Sequence, residues 1–541
     1  MSSIRANARP RTGRAGCPAA MDGQWYALAT APSGTAHALS FTPVTLRTAL
    51  LLLSLAAAIP AGALGGPEAG HAAPAGGLSL SACELRQPLD LTLIQAQCGN
   101  LAVPENPAAP RGRQIELRVA VVPAISTRKH ADPLFVLAGG PGMAATSFYT
   151  SVAPVFDRIH RDRDIVLIDQ RGTGGSNALD CESSEEDLYQ STTAEIVAEA
   201  ERCLRMSSAH ADVRFYTTTL AVQDLDRVRM ALGYDSIDLY GSSYGTIVAQ
   251  QYLRRFPDRV RSVILDGVVP PQLALGATSA LDAQAALSSI FSRCVREQAC
   301  HERFGDPAAA YRQVREQLAA HPVWVDLTDP TSGEPYRLQF TSYHLAMVLR
   351  LASYTPELAA LLPLDLHEAD ASGNFAPLAG QFLLIDRVYG DAIAEGMNDS
   401  VVCAEDVPFY NVNAEERAEL AKTFLGTSQV DGLEAVCKVW PHGPVDPDFH
   451  RPLHSDVPAL LLSGGNDPIT PPRYATQASR GFAHSLSLVV PGFGHGQLTD
   501  PCMAAVMAQF VRLASVSGLD TGCIRHLAPM PFFLTRNGPA P

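Results

Sequence analysis

Ser243 stands in the middle of a Gly-x-Ser-x-Gly pattern at residues 241–245, and its hydroxyl is a candidate nucleophile. The largely apolar stretch 237–240 predicts a short strand before this pattern, and helically spaced apolar residues predict a helix after it that ends at Pro257. A sharp turn from strand to helix leaves little room for a β-carbon two residues before and after the serine, which explains a glycine at each position. The sequence therefore predicts a nucleophile at the tip of a strand, with an ordinary glycine-serine loop as the alternative.

A serine hydroxyl is a poor nucleophile, so it needs a general base, usually histidine, and a third group that orients the base. On folds where a strand leads into such a turn, these partners follow in the order serine, acid, histidine. Asp467 follows the apolar run 459–462 and His495 follows the apolar run 486–490, so both are expected at the sheet edge that carries Ser243. We predict these three residues as a catalytic triad that needs no cofactor. The alternatives are a turn aspartate before proline and a surface-loop histidine.

The tetrahedral oxyanion formed in acyl transfer needs two preorganised N–H donors. The amide of Tyr244, directly after the candidate nucleophile, is the first. The second is expected from the glycine-rich turn 138–142, and Gly140 is favoured because the absence of a side chain lets the backbone approach a substrate. Arg171, in the turn 169–176, has no reacting group and is expected to hold neighbouring loops through charge-assisted hydrogen bonds.

The elements that must position these residues follow an alternating pattern of strand and helix from about residue 89. This pattern predicts an α/β fold with a mostly parallel sheet covered by helices on both faces. After the Pro270–Pro271 pair the sequence becomes largely helical, with a hairpin predicted over 323–340, and the strand pattern resumes near residue 457. We therefore predict two core segments, 83–270 and 456–541, and an inserted cap, 271–455.

Residues 1–75 read as a leader, whose apolar run 49–59 is typical of a secretory signal. A run of about eleven residues is too short to cross a bilayer comfortably, so a permanent anchor is the weaker interpretation. Because a signal peptide begins at the initiating residue, we expect translation to start near Val44, with Met21 as the alternative. The mature protein is expected to be secreted or periplasmic.

The cysteines support export independently, because ten of the eleven follow the apolar run and an even number suits disulfides. The sequence does not prove the connectivity, but proximity suggests five local pairs: Cys83 with Cys98, Cys181 with Cys203, Cys294 with Cys300, Cys403 with Cys437, and Cys502 with Cys523. A metal site is the alternative. It is disfavoured because no C-x-x-C occurs and Pro452 interrupts the spacing from His450 to His454.

The composition, 47% hydrophobic and 18% charged residues in a chain of 541, is that of a globular protein with a sizeable core. A formal net charge of −14 argues against a nucleic-acid partner or an anionic membrane, and no basic stripe offsets it. We therefore expect neither a nucleic-acid partner nor a stable membrane partner.

The motifs 139–142, 169–174 and 241–245, followed by the late Asp467 and His495, resemble those of α/β-hydrolase peptidases related to proline iminopeptidase. The chain is also similar to secreted tripeptidyl-aminopeptidase-like proteins, whose C-terminal hallmark matches 462–472, 491–496 and 500–502. The resemblance covers roughly residues 85–525. It implies an α/β-hydrolase fold with a helical cap that restricts the site to peptide amino termini. Proline iminopeptidases usually carry a histidine where this chain has Ala138, which argues against strict proline specificity.

These observations predict an exported serine exopeptidase that removes short units from peptides with a free amino terminus through an acyl-enzyme. An esterase that uses the same triad on small esters is the alternative, since the triad alone does not separate the two. A catalytically silent binding protein is disfavoured by the intact triad. A serine at position 243, rather than a carboxylate, disfavours an epoxide- or halide-processing enzyme.

Glu405 and Asp406 are the candidates for binding the substrate's protonated amine. They follow Cys403 in the predicted cap, and a carboxylate in a partly dehydrated pocket is a direct way to recognise an ammonium group. A solvated acidic turn after a helix is the alternative interpretation. The resemblance supports the binding role, because tripeptidyl aminopeptidases carry acids after a similar cysteine.

Overall fold

The computed structural model describes residues 78–86, 93–181, 192–389, 392–496 and 500–540. The predicted leader, with its apolar run 49–59 and the suggested starts at Val44 and Met21, lies outside the described residues. Within the described ranges, no helix is long and apolar enough to cross a bilayer.

A nine-stranded sheet forms the centre of the described chain, in the order β1-β2-β3-β5-β4-β6-β7-β10-β11. The pairs β1–β2, β2–β3 and β3–β5 are antiparallel. All later pairs in this order, from β5–β4 to β10–β11, are parallel. A separate antiparallel hairpin, β8 with β9, lies where the sequence predicts one. The strands are β1 (Ser81–Arg86), β2 (Leu93–Pro104), β3 (Gln114–Val122), β4 (Leu134–Leu137), β5 (Ile165–Ile168), β6 (Ile237–Ser242), β7 (Val260–Asp266), β8 (Val323–Thr328), β9 (Pro335–Phe340), β10 (Ala459–Gly464) and β11 (Ser485–Val490).

The central strands are apolar throughout because helices cover both faces of the sheet. In β4, Phe135 and Leu137 face one core cluster, while Leu134 and Val136 face another. This alternation is the two-residue period of a strand, and it divides a continuous apolar run between two layers. The α/β architecture with a mostly parallel sheet, predicted from the sequence, is confirmed.

Helices α4, α5 and α15 pack on one face of the sheet, and α1, α2 and α16 pack on the other. The helices are α1 (Ala145–Val152), α2 (Asp157–His160), α3 (Thr193–Ser208), α4 (Thr218–Leu232), α5 (Tyr244–Arg255), α6 (Ser279–Arg296), α7 (Gln298–Phe304), α8 (Pro307–Ala320), α9 (Ser342–Ala352), α10 (Pro356–Ser372), α11 (Ala376–Tyr389), α12 (Glu395–Glu405), α13 (Ala414–Leu420), α14 (Ser428–Val436), α15 (Pro472–Ser479) and α16 (Pro501–Leu513).

The segment between β7 and β10 packs in two ways. Helices α6 to α11, with the β8–β9 hairpin, surround a core cluster of their own. Helix α12 instead joins the cluster on the sheet through Met397 and Val401, and α14 joins it through Val436. The predicted cap segment 271–455 therefore contains both a helical layer with its own core and helices packed on the sheet. The division of the chain into core and cap remains a prediction.

The ten cysteines that follow the leader all lie in the described ranges and form five disulfides. Their partners are those suggested by sequence proximity. The Cys403–Cys437 bridge ties the last turn of α12 to the residue after α14. It closes a separation of 34 residues, so it restricts the unfolded chain, and both of its cysteines belong to the core cluster on the sheet.

Candidate active site

Ser243 occupies the turn between β6 and α5 in a strained backbone conformation, with φ of 54° and ψ of −120°. A β-carbon at Gly241 would clash with the carbonyl oxygen of Gly245, and one at Gly245 would clash with that of Leu137. Neither position therefore accepts a side chain without moving the backbone. A non-glycine residue with positive φ costs free energy and persists only when its surroundings enforce it. The elbow predicted from the sequence has the expected geometry.

Hydrogen bonds from neighbouring elements hold this strained turn. The amide of Ser243 donates to the carbonyl oxygen of Asp266 at 2.8 Å, at the end of β7. Thr246 donates to the Ser243 carbonyl oxygen through its amide at 2.8 Å and through its hydroxyl at 2.7 Å. Thr246 Oγ1 also accepts the amide hydrogen of Val269 at 3.0 Å. The backbone on both sides of the serine is therefore fixed before any substrate arrives.

Asp467 and His495 lie in the loops after β10 and β11, at the carboxyl ends of parallel strands, and they form an ion pair. Asp467 Oδ2 is 2.9 Å from His495 Nδ1. The other oxygen of this buried carboxylate accepts the amide hydrogens of Ile469 and Thr470, both at 2.8 Å. Thr470 Oγ1 donates to Asp467 Oδ2 at 2.7 Å and lies 3.1 Å from His495 Nδ1. The carboxylate is thus held against the imidazole by three hydrogen bonds from the same short loop.

The two pKa values of this pair shift in opposite directions. Burial raises the pKa of Asp467, but His495 and the donors in its loop lower it by more, so the pKa is below its usual value. Burial lowers the pKa of His495, but Asp467, with a further contribution from Asp266, raises it above the ordinary 6.5. The imidazolium form is therefore stabilised, as a general base that takes up a proton requires.

The imidazole is positioned by residues from elsewhere in the chain. The His495 amide donates to the carbonyl oxygen of Tyr354 at 2.9 Å, just after α9, and the two rings meet edge to face at 5.0 Å. A β-carbon built on Gly267 would lie 3.1 Å from His495 Cε1. Gly267 follows Asp266, whose carbonyl oxygen accepts the Ser243 amide. The structure thus brings the imidazole to the end of β7, which also supports the turn at Ser243.

The two predicted oxyanion donors belong to segments next to Ser243. Tyr244 opens α5, and the first amides of a helix have no partner within it. The turn after β4 approaches closely, because a β-carbon on Gly139 would lie 3.2 Å from Ser243 Cβ and 3.9 Å from its Oγ. Gly140, the predicted donor, follows with φ of 110°. Neither the Tyr244 nor the Gly140 amide meets a backbone acceptor among the described residues. Their role as the oxyanion pair remains a prediction.

Glu405 ends α12 and is linked through Thr218 to Tyr244, the residue after Ser243. Its carboxylate accepts the Thr218 amide hydrogen at 2.6 Å and the Thr218 hydroxyl hydrogen at 2.7 Å. Thr218 Oγ1 lies 2.6 Å from the hydroxyl of Tyr244, which also accepts a hydrogen bond from Gln170 Nε2 at 2.9 Å. A buried hydrogen-bonded chain therefore joins the predicted cap acid to the nucleophile elbow.

Asp406 is buried beside Glu405 and accepts one hydrogen bond, from the Leu275 amide to Oδ1 at 2.7 Å. Its Oδ2 has no hydrogen-bond partner among the described residues. Burial raises the pKa of Glu405 to about 8, and that of Asp406 to about 7. These carboxyls are not those of a solvent-exposed turn. Both are buried, and a buried carboxylate needs a cation to offset its lost hydration. The interpretation of an acidic turn in solvent is wrong.

Sequence reasoning missed three residues that support the site. Thr470, three residues after Asp467, could have been found from its spacing, because a hydroxyl in that position commonly bonds a turn aspartate. Nothing in the sequence around Asp266 or Tyr354 indicates that they lie at the site. The order of the strands brings Asp266 there, and the packing of α9 brings Tyr354 there. Arg171 bonds Asp224 and the carbonyl oxygens of Glu105 and Phe215, as expected for a residue that holds loops.

In the described part of the chain, no group of three or more histidine, cysteine or acidic side chains is arranged to hold a metal ion. The Asp467–His495 pair and the serine elbow can perform acyl transfer with protein groups alone.

Two parts of the chain match known protein families. Residues 132–288 match the alpha/beta hydrolase fold family, and residues 422–523 match the TAP-like protein family. The first match includes Ser243, and the second includes Asp467 and His495.

Three relatives are similar in sequence to this chain, two of them over more than two thirds of its length. Serine protease Hip1 of Mycobacterium tuberculosis is 28% identical over 410 residues, which cover 70% of this chain and 77% of that protein. Tripeptidyl aminopeptidase of Streptomyces coelicolor is 32% identical over 193 residues, which cover 32% of this chain and 35% of that protein. Carboxylesterase B of Mycobacterium tuberculosis is 28% identical over 460 residues, which cover 77% of this chain and 84% of that protein.

Proposed function

We propose that this α/β-hydrolase serine peptidase is an exported exopeptidase that removes short units from the free amino termini of peptides. The observation that carries the proposal is the Asp467–His495 ion pair at the sheet edge that also bears the strained Ser243 elbow. Two relatives named as a serine protease and a tripeptidyl aminopeptidase support peptides as the substrate class.

The proposed reaction proceeds through an acyl-enzyme. Ser243 Oγ attacks the scissile carbonyl while His495 takes the hydroxyl proton, and the amides of Tyr244 and Gly140 stabilise the oxyanion. The tetrahedral intermediate collapses as His495 returns the proton to the leaving amine. Water then attacks the ester carbonyl with His495 again as the base, and the amino-terminal unit leaves with a new carboxyl group.

Restriction to amino termini rests on Glu405 and Asp406. Both carboxyls are buried within the same compact fold as the elbow, and burial raises the pKa values of both. Among the described residues, neither carboxylate forms an ion pair with a basic side chain. A peptide ammonium would supply that missing charge and form charge-assisted hydrogen bonds with them. The free Oδ2 of Asp406 offers an acceptor that no described residue already occupies.

Export is supported by the apolar run 49–59 and by the five disulfides, since such bonds persist in oxidising compartments. The expected location is outside the cytoplasm, either secreted or periplasmic.

An esterase is the second candidate, because Carboxylesterase B is similar to 77% of this chain. The same nucleophile and base would cleave an ester, whose leaving alcohol needs less assistance than an amine. A small ester carries no ammonium group, so Glu405 and Asp406 would have nothing to bind in that substrate.

The experiment that separates the candidates compares three substrates with one purified enzyme: a peptide amide with a free amino terminus, its N-acetylated form, and a small ester. We expect the free peptide to be cleaved at least about tenfold faster, in kcat/KM, than the acetylated one, because acetylation removes a charge-assisted contact. Equal rates on free and acetylated peptides would refute the exopeptidase proposal, and preferential turnover of the ester would promote the esterase.

A further inference from the structure

A cleft lined by arginines lies at the opposite end of the sheet from Ser243. It is a cleft of about 320 Å³ between the segment 158–163, which leads into the amino end of β5, and the last turns of α16. Because β5 and β6 run in the same direction, the start of β5 and the elbow after β6 lie at opposite edges. Four arginines line the cleft, with Asp162 and Gln509 beside them: Arg158, Arg161, Arg163 and Arg512.

Arg163 is the buried member of this group, with 2% of its surface exposed. Its Nε donates to Asp132 Oδ2 at 2.8 Å, and its Nη1 donates to Asp162 Oδ1 at 3.1 Å. Its Nη2 donates to no residue of the described chain, and Arg163 lines the cleft. A buried guanidinium therefore keeps one donor group available, with its other nitrogens already fixed by carboxylates.

The other three arginines are exposed, and within the described chain none of them has a carboxylate partner. This is unexpected, because the protein has 55 acidic residues against 41 basic ones. The carboxylate in the cleft, Asp162, is already paired with Arg163 and lies 3.8 Å from His130 Nε2. The cleft thus concentrates positive charge on a chain whose net charge is negative.

We propose that this cleft binds a phosphate group. A phosphate dianion offers several oxygens to guanidinium groups, whose planar N–H forks match its geometry, and it can use donors from more than two arginines at once. A carboxylate has one charge and two oxygens, so it would leave part of the cluster unpaired. The volume is sufficient for a phosphate that carries a small organic group, and a phospholipid head group has the same chemistry.

The direct test is calorimetric titration of the full-length mature protein with sodium phosphate, with sodium acetate at equal ionic strength as the comparison anion. The variant Arg158→Gln/Arg161→Gln/Arg512→Gln removes three charges that support no internal ion pair. Its matched control, Arg111→Gln/Arg296→Gln/Arg451→Gln, removes three exposed arginines outside the cleft. Arg163 is left unchanged because its carboxylate partners would lose their counter-charge.

We expect saturable phosphate binding by the wild type and by the control variant, with acetate bound more weakly. The cleft variant should bind phosphate at least about tenfold more weakly, the effect of losing one charge-assisted contact or more. Its peptidase activity should stay unchanged, because the cleft and the elbow lie at opposite edges of the sheet. Absence of phosphate binding, or equal binding by the two variants, would overturn the proposal.

Sedimentation with vesicles identifies the source of the phosphate. If the wild type, but not the cleft variant, sediments with phosphatidylglycerol vesicles and free phosphate releases it, the ligand is a lipid head group. If phosphate binds and neither protein sediments, the ligand is a soluble phosphate compound. Both results support the site, and loss of sedimentation in the control variant as well would contradict it.

Discussion

The carboxylate of Glu405 accepts both the amide and the hydroxyl hydrogen of Thr218, at 2.6 and 2.7 Å. These residues are distant in sequence, since one ends α12 and the other begins α4. Because the same Thr218 hydroxyl contacts the Tyr244 side chain, Glu405 is linked to the residue after the nucleophile. Two roles for Glu405 therefore have to be separated: binding the substrate's ammonium group, and supporting the Ser243 turn through Thr218 and Tyr244. Substitution of Glu405 separates them.

Glu405→Gln should lower kcat/KM on free peptides by roughly 10- to 100-fold, as expected for the loss of one charged contact, and change ester turnover less than about threefold. The glutamine oxygen can still accept the Thr218 amide hydrogen, and its NH2 group can donate to the Thr218 hydroxyl, whose own hydrogen then turns to Tyr244. The negative charge is removed while the elbow should remain in place. Glu316→Gln, an exposed acid on α8, is the control and should behave as wild type. Equal losses on peptide and ester would show that Glu405 acts through Tyr244 rather than on the amine.

Peptide binding should release protons near neutral pH. The pKa values of about 8 for Glu405 and about 7 for Asp406 mean that both carboxyls are partly protonated at pH 7. An ammonium group bound beside them favours their ionised forms and lowers both values, so protons leave on binding. Calorimetry of a tripeptide binding to the Ser243→Ala variant, in two buffers of different ionisation enthalpy, measures this release. An N-acetylated peptide that released as many protons would contradict the amine site.

Ser243→Ala should abolish peptide turnover and labelling by serine-directed organophosphonates while the protein stays folded. The hydroxyl makes no hydrogen bond that the fold depends on, whereas the Ser243 amide and carbonyl, which hold the turn, are kept. Mass spectrometry of the labelled protein checks the result, with Ser242→Ala as the neighbouring-serine control. Labelling that survived in a folded Ser243→Ala protein would assign the nucleophile elsewhere.

Asp467→Asn should change the pH dependence as well as the rate. In the wild type, the pKa of His495 lies above 6.5, so kcat/KM is expected to fall as pH drops through that raised value and the imidazole becomes protonated. Without the Asp467 charge, burial is no longer offset by its main opposing influence, so the pKa of His495 should fall and the acid limb should move to lower pH. The maximal rate should fall by roughly 10³- to 10⁴-fold, because the tautomer is no longer held. An unchanged acid limb would show that another group controls it.

Thr470→Val should lower kcat by about tenfold with little change in KM, because its hydroxyl donates to Asp467 and lies against His495 without any proposed contact to substrate. The substitution also removes an oxygen that lies 3.1 Å from His495 Nδ1 and can accept its hydrogen, so the imidazolium form loses part of its stabilisation. The acid limb of the rate profile should therefore shift to lower pH. Thr476→Val, on the exposed surface of α15, is the control and should leave both kcat and the profile unchanged. A purely structural role would lower stability without moving the profile.

The sequence alone predicted the elements that depend on local chemistry. The elbow at 241–245 was identifiable because the strained turn admits only glycine at its flanks, and Gly241 and Gly245 leave no room for a β-carbon. The α/β fold followed from apolar runs that alternate with helical segments, since a strand buried on both faces must be apolar throughout. The five cysteine pairs followed from sequence proximity, because each bridge closes a modest loop.

What the sequence did not determine was which distant residues meet. Strand order places β7 beside β6 and β10 beside β7, which brings Asp266 to the Ser243 amide and Gly267 to the His495 ring. Nothing in the local pattern records that order, because neighbours in a parallel sheet are joined through crossovers. The burial of Glu405 against Thr218 likewise depends on how α12 packs onto the sheet. Local propensity can be estimated from short stretches, whereas these contacts depend on the packing of the whole chain, and only the tertiary structure decided them.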